Sequence, residues 1–267
     1  MYRRLPNTDV DRTTAFDIPF DKFTDTPVPL RALTQAEFDA MVAVRTPWKA
    51  ATDAEAVALN AQLSATNRAD ELAEELDKLI SHFIQVFNLA VDRNYFPVAA
   101  RAFYKLDANS DKTPIINSHA DRLTWAQNII TGEAARAAAE GPGTPATLDS
   151  GLRLDEGIHM DSNVGGYKPM ALPSADEVAA ALALYKPAHK AASDAKDAYD
   201  RAQEAVKNLR PAADAQIRDQ WDAIEYFFRK EEPASLRRKA REWGVVYVSR
   251  PGEPEDPENP TPPAPPA

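Results

Sequence analysis

Two long stripes of hydrophobic residues dominate the chain, and both have the spacing of one face of an α-helix. In the first, between Thr52 and Asn94, apolar residues recur at steps of four and three. Its members are Leu72, Leu76, Leu79, Phe83, Phe87 and Ala90. The stripe predicts a long helix that ends before Pro97, because proline cannot continue a helix.

The second stripe starts after Ser174–Glu177, which has the spacing of a helix-capping box, and continues to Phe228. Its positions keep the four-three alternation of a coiled coil, and they include Val178, Leu182, Tyr185, His189, Val206, Ala213, Ile217, Trp221 and Ile224. The ends of this stripe are apolar and its middle is polar. Pro187 and Pro211 predict kinks or breaks within the helix.

Matching stripes on two long helices predict the fold class: a mainly α protein built on a long antiparallel, coiled-coil-like helical hairpin. We expect a compact helical base that joins the aromatic ends of the stripes: Phe83, Phe87, Trp221, Ile224, Phe227 and Phe228. We expect the polar, alanine-rich middles, residues 53–67 and 188–210, to form a thin projecting arm.

Shorter elements are predicted from their end signals. Thr34–Glu37 is a capping box that predicts a short helix to about Val44, and Pro47 suits the start of another. Ser118, with Asp121 three residues later, predicts a helix that runs to about Ala139.

The C-terminal region combines a helix with a strand. Ser235 is the expected cap of a short helix over Leu236–Trp243, and Gly244 suits the position after a helix end. Val245–Ser249 then predicts a minor short β element. A strand needs a partner edge. The candidates are Tyr2–Leu5, Leu152–Leu154 and a second subunit.

Three regions follow along the chain. We predict an extended N-terminal arm over 1–33, because Phe16, Ile18 and Phe20 alternate and prolines interrupt the segment. Residues 34–252 then form the helical domain, with an irregular loop insert over 140–173. Residues 253–267 form a proline-rich tail of polyproline type.

Composition narrows the function classes. The net charge of −10 disfavours general binding to nucleic-acid phosphates. The absence of cysteine excludes disulfides and thiol nucleophiles, and only 9 glycines argue against glycine-rich phosphate loops. The N-terminus lacks the pattern of a signal peptide, and no run of about 18 apolar residues occurs. We therefore predict no membrane span and a cytoplasmic location by default, with an extracellular one left open.

No catalytic constellation is recognisable, so we predict that the protein is not an enzyme and has no cofactor. A di-metal helical bundle requires two Glu-x-x-His motifs, and the chain has that spacing only at Glu156 and His159. Asp155, Glu156, His159 and Asp161 are weak candidates for holding one divalent ion. A solvated acidic loop is the commoner explanation of such a cluster.

One basic cluster stands out, formed by Arg237, Arg238, Lys239 and Arg241. It could contact nucleic acid or an anionic surface. Because the chain is acidic, we favour a contact with acidic residues of this chain or of a neighbouring copy.

Four stretches resemble a group of bacterial hypothetical helical proteins: Arg3–Asp9, Ser81–Ala90, Trp125–Glu133 and Arg237–Glu253. They contain RRLPNTD, SHFIQVFNLA, WAQNIITGE and RRKAREWGVVYVSRPGE. The resemblance implies that residues 1–252 form one module. The group has no assigned activity, so the resemblance implies no catalytic residues.

The leading functional hypothesis is a structural or scaffold protein that associates with itself into an ordered homo-oligomer or filament. The predicted interface comprises Tyr2, Arg3, Arg4, Leu5, Phe16, Ile18, Phe20 and Phe23 in the arm, with Val245, Val246, Tyr247 and Val248 in the strand. One alternative is an adaptor or nucleic-acid-associated module that uses the basic helix 236–243. A further alternative is a helical bundle that binds a metal or a small molecule.

Overall fold

The computed structural model describes residues 2–141, 144–145, 163–164 and 166–249, and the fold is mainly α-helical. Its α-helices are α1 (Asp9–Asp25), α2 (Gln35–Asp92), α3 (His119–Glu140), α4 (Ala175–Phe228) and α5 (Pro233–Glu242). Short 3₁₀ segments occur at Val28–Leu30 and Val98–Tyr104. The strands are β1 (Tyr2–Arg3), β2 (Thr144–Pro145), β3 (Asn163–Val164) and β4 (Tyr247–Val248). The predicted fold class is confirmed.

Three helix starts lie where the capping signals predict them. At α2, Glu37 accepts from the Thr34 amide at 2.7 Å, and the Glu37 amide donates to the Thr34 hydroxyl. Ser174 and Glu177 make the same reciprocal pair before α4. Ser118 and Asp121 make it before α3. These local hydrogen bonds satisfy amides that a helix leaves without partners.

The long helices are uninterrupted, which corrects the expected end near Val44 and the expected breaks in the second long helix. The helix predicted to stop near Val44 continues to Asp92, with Pro47 inside it. Pro187 and Pro211 lie inside α4 without dividing it. All three prolines are exposed. The residue four positions before each proline, whose carbonyl loses its helical amide partner, is also exposed, so the lost hydrogen bond costs little there.

The N-terminal segment is not the extended arm that we predicted, because Asp9–Asp25 is the helix α1. Thr8 caps it by accepting from the Asp11 amide. Phe16, Phe20 and Phe23 are spaced by four and three, so a helix places them on one face, where Phe16 and Phe23 are buried. Ile18, which completed the apparent alternation, lies on a different side of α1 and is 38% exposed.

A distant side chain compensates for the proline inside α1. Pro19 is buried and has no amide hydrogen to donate to the carbonyl of Ala15. The side-chain amide of Gln220 in α4 donates to that carbonyl at 2.7 Å, and Gln220 is itself buried. This hydrogen bond gives Ala15 the partner that the helix lacks.

The chain forms two compact units. The first unit contains the described residues before Gln62 and those from Lys196 onward, and the second unit is Gln62–Ala195. Helices α2 and α4 contribute one part to each. The N-terminal segment, which we expected to form a separate extended arm over 1–33, belongs to the first unit.

Each unit has its own hydrophobic cluster. In the first unit, Met41 and Trp48 of α2 pack with Ile217 and Trp221 of α4, and α1 adds Phe16. In the second unit, the end of α2 packs with the start of α4 and with α3 through Phe83, Phe87, Leu182, Tyr185 and Ile129. Early residues of one long helix thus meet late residues of the other, as an antiparallel pair requires.

This arrangement corrects the expected composition of the base. Phe83 and Phe87 do not share a cluster with Trp221 and Ile224, because antiparallel helices place those stripe ends in different units. The alanine-rich middles are largely exposed.

The C-terminal strand pairs with the N-terminus of its own chain. β1 and β4 are antiparallel, with Tyr2 opposite Val248 and Arg3 opposite Tyr247. The Arg4 amide extends the ladder by donating to the Val246 carbonyl at 3.0 Å. Of the candidate partners for this strand, the structure therefore has Tyr2–Leu5. Leu152–Leu154 lies outside the described residues.

Gly244 links α5 to this strand, as predicted. Its φ of 87° favours glycine, and the Val245 amide donates back to the Ala240 carbonyl, which closes the helix end. A Cβ at Gly244 would lie 3.2 Å from the Ile18 Cβ, so glycine also permits α1 to approach closely. The start of α5 differs from our expectation: the helix begins at Pro233, and Ser235 instead bonds to Glu231.

No helix in the described part of the chain combines the length and apolar character needed to cross a bilayer.

We predict an energetic coupling between Pro19 and Gln220. Gln220→Ala should lower the free energy of unfolding by about 1–3 kcal/mol, because it leaves the buried Ala15 carbonyl without a partner. In a Pro19→Ala background, residue 19 regains an amide hydrogen for the Ala15 carbonyl. Gln220→Ala should therefore lower the free energy of unfolding by a smaller amount in that background. Urea denaturation of the four proteins of this double-mutant cycle measures the coupling. Equal costs in both backgrounds would contradict the role assigned to Gln220.

Candidate functional site

The predicted interface residues divide into a buried and an exposed set. Phe16, Phe23 and Val245 are buried in the cluster of the first unit, and Phe20 and Tyr247 pack against it. These side chains stabilise the fold of their own chain, so they are not free to form an interface. Tyr2, Leu5, Ile18 and Val246 remain well exposed.

Three of these exposed residues line one cleft, which we call the sheet cleft. It lies between the start of α1 and the sheet and has a volume of about 260 Å³. Its lining comprises Arg4, Leu5, Pro6, Asn7, Asp11, Thr14, Ala15, Ile18, Gly244 and Val246. The close approach of Gly244 to Ile18 brings the strand next to α1 and so forms one wall of this cleft.

A second cleft, the helix cleft, lies on the other side of Thr14, which lines both. Its volume is about 380 Å³. The lining residues come from α1, α2 and α4: Asp9, Val10, Thr13, Thr14, Thr52, Glu55, Ala56, Leu59 and Tyr199. Val10 is 75% exposed and Leu59 37% exposed. Helix α1 therefore carries accessible apolar side chains on two sides, and we call the two clefts together the α1 surface.

The chemistry of the α1 surface suits binding. Its apolar side chains lie among a few charged groups: Arg4, Asp9, Asp11 and Glu55. The threonines are already engaged. Thr13 donates to the Asp9 carbonyl and accepts from the Trp48 indole at 3.0 Å, while Thr14 donates to the Val10 carbonyl. Apolar walls with a few fixed polar groups are typical of recognition sites.

Four charged side chains hold α1 against α4 beneath this surface. Arg12 donates two hydrogen bonds to Asp214, at 2.8 and 3.1 Å. Arg210 donates two to Asp9, at 2.9 and 2.7 Å. The hydrogen bond from Arg210 is the main cause that lowers the pKa of Asp9 below its usual range. Paired bonds of this geometry fix both the position and the rotation of α1.

The basic cluster lies on α5, and its members already have partners. Lys239 contacts Glu231 at 2.6 Å, and the Arg241 guanidinium carbon lies 5.6 Å from the centre of the Tyr247 ring. Arg237, Arg238 and Arg241 each have further interactions. The Lys239–Glu231 pair is a contact with acidic groups of the same chain, of the kind that we favoured for this cluster.

The weak metal candidates Asp155, Glu156, His159 and Asp161 lie outside the described residues. Within residues 2–141, 144–145, 163–164 and 166–249, no three or more histidine or acidic side chains are grouped so that they could hold a metal ion.

A buried polar network in the second unit was not expected from the sequence. Glu133 on α3 accepts from Tyr104, from Tyr167 at 2.6 Å and from the Met170 amide at 3.0 Å. Burial raises the pKa of Glu133, but the hydrogen bonds from Tyr104, Tyr167 and Met170 outweigh it and leave the pKa below its usual value. The ionised carboxylate is therefore stable inside the protein.

Arg136 completes this network. It is fully buried and donates to Tyr104 at 2.9 Å, to Glu133 at 3.0 Å and to the Lys168 carbonyl at 2.6 Å. Because these bonds join α3 to the segment that contains Tyr167 and Met170, the network anchors that segment. The i,i+3 spacing of Glu133 and Arg136 was the only signal in the sequence.

No protein-family model, curated protein or solved structure matches this chain. The resemblance to bacterial hypothetical proteins therefore stays a prediction.

We expect Asp9 to contribute to stability above its unfolded pKa of about 3.8 and to lose that contribution as the pH falls through its lower folded pKa. At pH 7, Asp9→Asn should lower the free energy of unfolding by about 1–2 kcal/mol, a range reduced for partial solvent exposure. The difference from the unmodified protein should shrink in acid. Urea denaturation at pH 7 and pH 3 measures both values.

Asp11→Asn is the matched control, since Asp11 lies in the same first turn of α1 but is exposed. Asp11→Asn should change the free energy of unfolding only slightly at either pH. An Asp9→Asn effect no larger than this control would contradict the role of the pair with Arg210.

Proposed function

We propose that this protein is a non-enzymatic structural protein that associates with itself, and that the α1 surface of the first unit is the contact. The observation that carries this proposal is the convergence of exposed apolar side chains on that surface. Leu5, Ile18 and Val246 line one cleft, and Val10 and Leu59 line the next. Burying such side chains contributes about 25 cal/mol for each Å² removed from water.

The charges of the sheet cleft favour a second copy as the occupant. Arg4 and Asp11 lie in the same lining. In a twofold contact each surface meets its own counterpart, so Arg4 of one copy can approach Asp11 of the other. Both charges then gain a partner on association.

The proposed contact is not an extension of the β1–β4 sheet by a strand of a second copy. β4 is already paired with β1, and each strand has only two residues. An edge of that length is a poor template for another strand. The side chains of the clefts, rather than the backbone of the sheet, support association.

The alternative through the basic helix has less support. Lys239 is paired with Glu231, and the chain has a net charge of −10. Phosphate binding weakens steeply as salt is added, whereas association by apolar burial does not. A salt titration of any observed complex therefore distinguishes the two functions.

Placing a charge on the sheet cleft should abolish association. Val246→Asp puts a carboxylate at a side chain that is 49% exposed, so the fold should tolerate it while the contact should lose apolar burial. Sedimentation velocity over a range of concentrations should show oligomers for the unmodified protein and a 29.3 kDa monomer for the variant.

Val98→Asp is the matched control, because Val98 lies in the second unit and is 53% exposed. It introduces the same charge and should leave association unchanged, and circular dichroism checks the fold of both variants. An unmodified protein that stays monomeric at every concentration would overturn the proposal, as would equal loss of association in both variants.

A further inference from the structure

A histidine pair in the second unit joins the start of α3 to α4. The rings of His119 and His189 are stacked, with centroids 3.7 Å apart and planes at 12°. Nδ1 of His119 lies 2.9 Å from the hydroxyl of Tyr185, whose side chain is buried. His119 is the first residue of α3, and His189 lies one helical turn after Tyr185 on α4.

The stacking geometry does not suit a shared metal ion. The lone pair of an imidazole nitrogen lies in the plane of its ring. Two nearly parallel rings about 3.7 Å apart therefore direct their lone pairs side by side. They cannot converge on one ion at the roughly 2.1 Å that a metal–histidine bond requires. The arrangement is suited instead to two neutral rings in van der Waals contact.

The surroundings disfavour a positive charge on His119. On α3, Arg122 lies one turn after His119, and its guanidinium carbon is 5.9 Å from the centre of the Tyr185 ring. On α4, Lys186 follows Tyr185 and contributes a further positive charge near His119. The N-terminal end of α3 is itself the positive end of a helix dipole.

The nearby carboxylates are already engaged. Asp77 of α2 accepts three hydrogen bonds from Arg122, at 2.8 to 3.1 Å. Asp121 of α3 accepts from the amide and hydroxyl of Ser118 in the helix cap. Neither carboxylate is hydrogen-bonded to an imidazole, so a proton on the stacked pair would lack a close counter-charge.

We propose that the His119–His189 stack is an acid-sensitive latch that holds the start of α3 on α4 while His119 is neutral and releases it when His119 takes up a proton. Release would free the first turn of α3 and expose Tyr185. The proposal concerns only the second unit and does not depend on the function proposed for the α1 surface.

The direction of the pH dependence follows from the environment of His119. Burial, with the charges of His189, Arg122 and Lys186, lowers the pKa of His119 below its ordinary value of 6.5. An opened α3 start restores the ordinary pKa, so it binds protons that the closed state excludes. The closed state is therefore most stable above pH 6.5. Between 6.5 and the lowered pKa, the equilibrium constant for opening rises up to about tenfold for each pH unit.

Hydrogen exchange of the full chain at pH 7.5 and pH 5.5 tests the latch, after correction for the intrinsic pH dependence of exchange. Amides in the first turns of α3 should lose protection in acid, while those of α1, in the first unit, should not. His189→Gln should reduce the pH dependence of α3 protection in this range, because it removes one of the groups that lower the pKa of His119. His82→Gln is the control, since His82 is an exposed histidine of the same unit and should leave the pH dependence intact.

Titration of the histidine ring signals by NMR provides a second measurement that needs no change in folding. In the unmodified protein, His119 should titrate below 6.5, and in His189→Gln its midpoint should move upward. A His119 midpoint at or above 6.5 in the unmodified protein would overturn the latch. The same acid loss of α3 protection in His189→Gln as in the unmodified protein would also overturn it.

Discussion

The constraint on which the structure depends is that the two long helices have strongly apolar stripes only near their ends. Their middles are alanine-rich and largely exposed, so pairing alone buries little apolar surface there. Each end needs further elements to cover it. In the first unit, α1, α5 and the short sheet enclose Trp48 and Trp221. In the second unit, α3 and the 3₁₀ segment enclose Phe83 and Phe87. The smaller elements are therefore part of the cores.

The sequence predicted the elements whose signals are local. The capping boxes at Thr34, Ser118 and Ser174 marked three helix starts, because the residues that form each box lie within one helical turn. Gly244 marked a helix end for the same reason. The two stripes also predicted the two long helices, since the spacing of a stripe depends only on the geometry of one helix.

The features that the sequence did not predict depend on contacts between residues that are far apart along the chain. Helix α1 was missed because Pro19 argues against a helix, and the side chain that compensates for it, Gln220, is about 200 residues away. Pro47, Pro187 and Pro211 are exposed and do not divide their helices. Which positions are exposed depends on how the whole chain packs. The candidate site was missed in the same way. Three of the twelve predicted interface residues are buried and two more pack against the same cluster. The sheet cleft exists only once β1 pairs with β4.

The way α1 is held has a consequence for what its surface can do. The inner face of α1 is fixed by the apolar cluster and by the hydrogen bond from Gln220. Its first turn is fixed by two ion pairs, Arg12 with Asp214 and Arg210 with Asp9. Two kinds of contact, one apolar and one ionic, thus restrain the same helix from different sides. A surface held in this way does not have to become ordered when a partner binds, and that lowers the entropy cost of association. Asp9 and Ala15 line the clefts and also take part in the contacts that fix α1. The folding of the first unit and the shape of its candidate contact are therefore determined together.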